Sequence, residues 1–167
     1  VDHLIARMST IPSIRLATAQ DAAMIAEMSR DYIEHGLGWS WTPSRVLAAV
    51  HDRATNTAVV DEAEQITAFG IMHYGDETAH LSLLAVRPNR QQRGLGALLM
   101  AWLEKPARVA GIECIRVEAR ADNPNAIGFY RKQGFRESGR IAGYYRGAVD
   151  AVRLEKRLVM ALHVPPR

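Results

Sequence analysis

The run Val86-Arg87-Pro88-Asn89-Arg90-Gln91-Gln92-Arg93-Gly94-Leu95-Gly96-Ala97-Leu98-Leu99 decides how the rest of the chain is read. Leu81 to Val86 before it is an apolar strand pattern; Pro88 and a basic, Gln-rich turn follow, and Gly-x-Gly then opens an apolar helix. The first N–H groups of a helix have no intrahelical partner and lie at the positive end of its dipole, so such a start is an anion site. Glycines there let a phosphate approach the backbone. A nucleoside triphosphate loop needs Gly-Lys-Ser/Thr, whereas Gly94 is followed by Leu95. A dinucleotide fingerprint needs a third glycine where Leu99 stands. Two readings of Gln91-x-x-Gly94-x-Gly96 remain: a strand-turn-helix unit without a ligand, and a loop for some other phosphate.

Composition narrows the rest. A chain of 167 residues, 48% hydrophobic and 23% charged, suits one domain over residues 1–167, with residues 1–12 expected as a flexible N-terminal extension. The formal charge is +3, but 18 acidic residues are interspersed among 21 Lys and Arg, which argues against a nucleic-acid groove. Arg87, Arg90 and Arg93 are the only local excess; they suit either a solvated turn or phosphate oxygens. The lone Cys114 lies in an apolar strand pattern and reads as a packed thiol, so no internal disulfide is expected. Ala97 to Leu103 is too short an apolar run to span a bilayer; a cytoplasmic protein without a membrane partner is the expectation. Val1 is an unusual start, and Met8 is an alternative initiator.

Upstream of the loop, Ser13 to Ala17 alternates like a strand, and Thr18 with Asp21 reads as a capping box ahead of a helix bearing Ala22, Ile25, Met28 and Tyr32 on one face. After His35-Gly36 comes a loop with Trp39 and Trp41, which suit a core lid or a substrate lip; Thr42-Pro43 then opens a second helix with Val46, Leu47 and Val50. Thr57 to Val60, Gln65 to Tyr74 and His80 to Val86 form an antiparallel meander in which His73 and His80 face one another. Two imidazoles could begin a zinc site, but no third ligand is suitably spaced and no metal is expected.

The helix after the loop carries Leu95, Leu98, Leu99, Trp102 and Val109 on roughly one face, with a kink or break expected near Trp102 to Pro106. Ile112 to Arg120 is the next strand, parallel to the one before the loop. Asn123-Pro124 caps a short helix, Asn125 to Gln133. Strands Phe135 to Ile141 and Val149 to Leu158 end the pattern, with Gly143-Tyr144-Tyr145-Arg146-Gly147 between them.

With both halves in view, the chain resembles the GNAT acetyltransferase superfamily. The loop matches its pyrophosphate motif, Gln/Arg-x-x-Gly-x-Gly/Ala, and Asn123-x-x-Ala126-Ile127-x-Phe129-Tyr130-x-x-x-Gly134-Phe135 matches its second signature in the right order. The resemblance covers roughly residues 14–160 and implies an α/β GNAT fold: a mixed central sheet, mostly antiparallel with one splayed parallel pair, flanked by helices. It implies acetyl-CoA as cosubstrate. Leu84, Ala85 and Val86 would pair with pantetheine, a backbone N–H near Leu84 would face the thioester oxygen, and Gln91, Gln92, Arg93, Gly94, Leu95, Gly96 and Ala97 would hold the pyrophosphate. Asn123 and Tyr130 would also contact the cofactor.

Tyr130 is the expected proton donor to the departing thiolate, since a phenol near 10 and a thiol near 8.5 exchange a proton without large tuning. Its bland alternative is a tyrosine packing its helix on the sheet. Glu118-Ala119-Arg120-Ala121-Asp122-Asn123 is similar to the Glu-Val-Arg-Ala-Ser-Asn run of the ribosomal-protein alanine N-acetyltransferase-like branch, whose glutamate is the proposed general base. Glu118 alternatively ends its strand in a salt bridge to Arg120 or Arg116. Tyr144 and Tyr145 look like that branch's substrate wall, and Trp39 and Trp41 lie in the loop that helps form its acceptor site. Gly38-Trp39-Ser40-Trp41 departs from its Pro-Trp-Ser, which leaves the acceptor open. The implied reaction is direct acetyl transfer in a ternary complex to a primary amine, a peptide or protein N-terminus first. A small amine such as an antibiotic or polyamine, and a silent acyl-CoA-binding module, are the alternatives. Monomer and homodimer are both compatible.

Overall fold

The computed structural model describes residues 12–158; the expected N-terminal extension, up to residue 11, and the Met8 start lie outside them. Strand β1 (Ser13–Leu16) leads into helices α1 (Ala22–Tyr32) and α2 (Pro43–His51), then β2 (Thr55–Glu62), β3 (Gln65–Tyr74) and β4 (Thr78–Val86). Helix α3 (Leu95–Val109), β5 (Cys114–Arg120), α4 (Pro124–Lys132), β6 (Arg136–Tyr145) and β7 (Val149–Arg157) follow. The strands form one sheet in the order β1-β2-β3-β4-β5-β7-β6, antiparallel except for β4 and β5.

Two apolar layers hold the helices to the sheet. Leu95, Leu99, Met100, Leu103 and Ala107 of α3, with Tyr130 of α4, pack on Ala58, Met72, Leu81, Ile115 and Val117. On the opposite face, Ala22, Ile25 and Met28 of α1 and Val46 of α2 cover Val59, Phe69, Ile71, Leu83 and Ala85. The Thr18 to Asp21 cap forms as read, with the Thr18 N–H donating to the Asp21 carboxylate at 2.7 Å.

The buried stripe of α3 differs from the expected one. Positions 95, 99, 103 and 107 lie four apart and run down one face, whereas Leu98 and Val109 lie off it and are exposed, and Trp102 is half-buried. Nor does α3 break: it is helical through Pro106 to Val109. Proline stands within the last turns, where few ladder bonds remain to be lost, and beyond it the Ala110 N–H donates to the Pro106 carbonyl at 2.9 Å. Tyr144 and Tyr145, read as connecting residues, belong to the end of β6, and the hairpin turns on Arg146 and Gly147, both at positive φ.

Two irregularities place the site. In β4, Leu81 pairs with Met72 and Leu83 with Ile71, so Ser82 is an extra residue, a β-bulge. The slip sends Leu81 into the α3 layer and Leu83 into the α1 layer, although they are two residues apart. The parallel pairing of β4 with β5 runs only from Thr78 and Cys114 to Leu81 and Val117. Beyond the bulge, Leu83 to Val86 keep β3 on one side, while Glu118 to Arg120 keep β7, and the two strands no longer pair with each other.

Candidate active site

The gap between β4 and β5 opens toward the start of α3. There Gly94 is the N-cap at φ 79°, in the left-handed region, and Gln92 takes φ 62°. The first intrahelical bond runs from the Leu98 N–H to the Gly94 carbonyl at 2.9 Å, so the earlier N–H groups, including Leu95, Gly96 and Ala97, lack helical acceptors. A Cβ on Gly94 would meet nothing, so its glycine serves the backbone angle alone; a Cβ on Gly96 would lie 3.0 Å from the Phe129 ring, so that glycine lets α3 start against α4. Gly94→Ala is accordingly expected to cost about 1–2 kcal/mol through its left-handed angle, read as a lower denaturation midpoint; an unchanged midpoint contradicts it.

The loop arginines divide. Arg87 donates to the Ile66 carbonyl at 2.6 Å and to the Tyr32 hydroxyl, and Arg90 pairs with Glu62 at 3.1 Å. Both anchor the turn to the sheet and α1, leaving Arg93 as the arginine without such a partner among the described residues. Gln91 donates its side-chain amide to the Val86 carbonyl at 3.2 Å and closes the strand end. The exposed N–H array, two left-handed residues and Arg93 form a donor set suited to a diphosphate.

The two faces of the sheet meet at the gap. From the α3 side comes Tyr130, fully buried against Phe129 and Phe135, edge-on at 5.3 and 5.5 Å. Its hydroxyl has no hydrogen bond among the described residues, and burial, with Tyr145 nearby, pushes it well above the ordinary phenol value. The match to a thiol expected from unperturbed values is therefore altered, although the surroundings that disfavour a phenolate disfavour a thiolate there as well. Asn123 caps α4, its side-chain oxygen accepting from the Ala126 N–H at 3.1 Å.

From the other face comes Glu118. Its partners are neither Arg120 nor Arg116, which pair with Asp122 and Glu155. One carboxylate oxygen lies 2.5 Å from His80 Nε2 and the other accepts from Arg153 Nε at 3.2 Å. Burial raises this carboxyl, but the hydrogen bonds from His80 and Arg153 outweigh it and hold it below its ordinary value. His80 does face His73 in the register, yet His73 turns to the Thr55 hydroxyl at 3.1 Å, and no group of three metal-ligating side chains forms among the described residues. Strand alternation puts His80 opposite in facing to Leu81; its meeting with Glu118 depends on a parallel register that no local pattern reveals.

The remaining sequence candidates are the paired tyrosines and the two tryptophans. The Tyr145 hydroxyl donates to the Glu118 carbonyl at 3.1 Å, and Tyr144, its ring 4.9 Å from that of Tyr145, is exposed. Trp39 is tied down, its indole N–H donating to the Ala26 carbonyl at 3.1 Å, so it is mainly a lid on the α1 layer. Trp41 carries the Arg45 guanidinium 3.9 Å over its ring. Two residues outside the candidate set fix this loop. Buried Glu34 accepts from the Ser29 hydroxyl, the Ser40 N–H and hydroxyl and the Trp41 N–H. Arg120 is bidentate with Asp122 while donating to the Ile33 and His35 carbonyls, clamping the end of α1 to β5. A carboxylate near a helix end and an arginine ending a strand carry no distinguishing spacing, so sequence reasoning passes over both.

Known proteins show the same arrangement of parts. The chain is 33% identical over 101 residues, 60% of its length and 66% of the relative's, to the ribosomal protein bS18-alanine N-acetyltransferase of Salmonella typhimurium. It is 27% identical to that of Escherichia coli over 148 residues, 87% of this chain and 95% of the relative. The crystal structure of the ribosomal-protein-S18-alanine N-acetyltransferase from Escherichia coli superposes with a TM-score of 0.77 at 24% identity, over 94% of this chain and all of that one. The model of the acetyltransferase (GNAT) family matches residues 22–135, and with that stretch spanning both the loop and the Asn123 to Phe135 signature, this chain belongs to the GNAT acetyltransferase family.

Proposed function

We propose that the chain transfers acetyl to the α-amine of a peptide or protein N-terminus by direct attack in a ternary complex, as a cytoplasmic enzyme. The family supplies acetyl-CoA as the activated acyl donor and N-acetyl transfer as the reaction. One observation carries the rest: the gap between β4 and β5 has a helix start with N–H groups lacking helical acceptors at its wide end, Tyr130 on one face and Glu118 on the other. Leu84, Ala85 and Val86 present backbone groups along that gap, and a fixed N–H near Leu84 stabilises an oxyanion, a donor of a kind worth about 3 kcal/mol of barrier. Tyr130 protonates the departing sulfur. Glu118 draws the ammonium proton, directly or through a neighbour.

Charge at the mouth favours a peptide over a polyamine. Arg45 on α2 and Arg146 at the β6–β7 turn, its guanidinium packed on Gly38, have no carboxylate partner among the described residues. Glu34, Glu118 and Asp122 are already engaged. Release of CoA with a panel of peptides tests the function, and inertness toward every peptide despite acetyl-CoA binding overturns it. Within that panel, acidic residues after the N-terminal one are expected to raise kcat/KM over basic ones by about tenfold, roughly 1.4 kcal/mol. The preference should shrink as salt is added; a preference for basic peptides contradicts this reading of the mouth.

A further inference from the structure

We infer that His80 takes the proton from the acceptor ammonium and that Glu118 is its positioning carboxylate. The inference rests on the proposed amine acetylation and deepens it. His80 stands one residue before Leu81, the last β4 residue paired with β5, and Glu118 one residue after Val117, the last on β5. The two side chains therefore meet at the closed end of the gap. Both oxygens of Glu118 are taken, one by His80 Nε2 at 2.5 Å and the other by Arg153 Nε at 3.2 Å. An incoming proton would have to displace one of these bonds. The Glu118 side chain is only 7% exposed, whereas that of His80 is 39% exposed, so the imidazole and not the carboxylate is open to an incoming group.

An ionised carboxylate only accepts, so the bond assigns the proton of the neutral imidazole to Nε2 and leaves the Nδ1 lone pair outward, with no partner among the described residues. This is the arrangement of a base held by a third group. The charges around His80 come from every neighbouring strand: its register partner Arg116 and Glu118 from β5, Arg153 from β7, His73 from β3, and Tyr144 of β6, whose phenol is raised by burial and then by Glu118. In the step, an ammonium N–H bond breaks and Nδ1 gains the proton, giving an imidazolium paired with Glu118. The freed lone pair forms the C–N bond, the C–S bond breaks, and sulfur takes the Tyr130 proton. A second proton from the acylated nitrogen restores Tyr130, and the imidazolium releases its own to water.

Steady-state kinetics of His80→Gln and Glu118→Gln with one accepted peptide across pH test the assignment, with acetyl-CoA titration calorimetry reporting an intact fold. His80→Gln is expected to bind acetyl-CoA like the parent, lose about 10²-fold in kcat and leave the rise of kcat/KM with pH to the acceptor amine alone, in the α-amino range of about 7.7–8.0. Glu118→Gln is expected to keep the parent's rise and to lose less kcat than His80→Gln, since the imidazole is still there to take the proton. The reverse pattern, with the rise left to the amine in Glu118→Gln and the parent's rise kept in His80→Gln, makes Glu118 the proton acceptor and overturns the inference. Full activity or an unaltered profile in His80→Gln also overturns it. If His80→Gln fails to bind acetyl-CoA, His80→Asn is read by the same criteria. A parent enzyme that releases no CoA with any peptide overturns the proposed function itself, a different result from either.

Discussion

Tyr130→Phe is expected to lower kcat by about 10²–10³-fold while leaving the affinity for acetyl-CoA close to the parent value, because the ring stays and only the proton donor goes. Phe129 and Phe135 already pack edge-on against this ring, so a phenylalanine fits the same space, and no described protein group loses a hydrogen bond. Calorimetry with acetyl-CoA and a CoA-release assay separate the two quantities. Because burial raises this phenol, it stays protonated over the pH range in which an α-amine deprotonates, so Tyr130 should impose no alkaline fall on the parent's rate. Undiminished turnover in Tyr130→Phe would strip the residue of its role; weakened binding with unchanged kcat would make it a packing tyrosine that holds the cofactor.

The second large effect belongs to Glu34, which touches none of the proposed chemistry. Its carboxylate collects the Ser29 and Ser40 hydroxyls and the Ser40 and Trp41 N–H groups where α1 gives way to the tryptophan loop. Glu34→Ala would strand these donors, at about 1–3 kcal/mol for each one left buried, so a loss of about 3 kcal/mol is expected in urea denaturation. Burial raises the Glu34 carboxyl, but the donors from Ser40, Trp41 and Ser29 more than offset it and its folded value lies below the ordinary one. Its contribution is thus complete above the unfolded carboxylate value and is lost as pH falls through the folded one. Acid should therefore destabilise the parent more than Glu34→Ala, narrowing their difference; a difference that stays constant to low pH would deny the carboxylate this part.

What the sequence conveyed follows from the range of each interaction. The Gly94-x-Gly96 helix start, the Thr18 and Asn123 caps and the strands and turns of the β2 to β4 meander are local, written within a few residues, and they appear in the structure where the sequence puts them. Leu98 and Val109 were misplaced because a helical stripe can be drawn slightly to either side until the sheet fixes its facing. The bulge at Ser82 is invisible in Leu81-Ser82-Leu83-Leu84, since an apolar residue suits either layer. His80 and Arg153 on Glu118, and Arg120 on the Ile33 and His35 carbonyls, depend on strand order and register, with partners 35 to 87 residues apart in the chain.

The short seam between β4 and β5 also bears on how the molecule coheres. Across the middle of the sheet, backbone rungs among the described residues join its halves from Glu77 and Glu113 to Leu81 and Val117, with Arg120 reaching over as a strap. A pantetheine arm lying in the cleft would act as a missing plank, offering amide groups to both sides. Substrate occupancy then becomes part of the architecture: filling the cleft ties one half of the protein to the other, and any ligand that binds there stabilises the folded state by mass action.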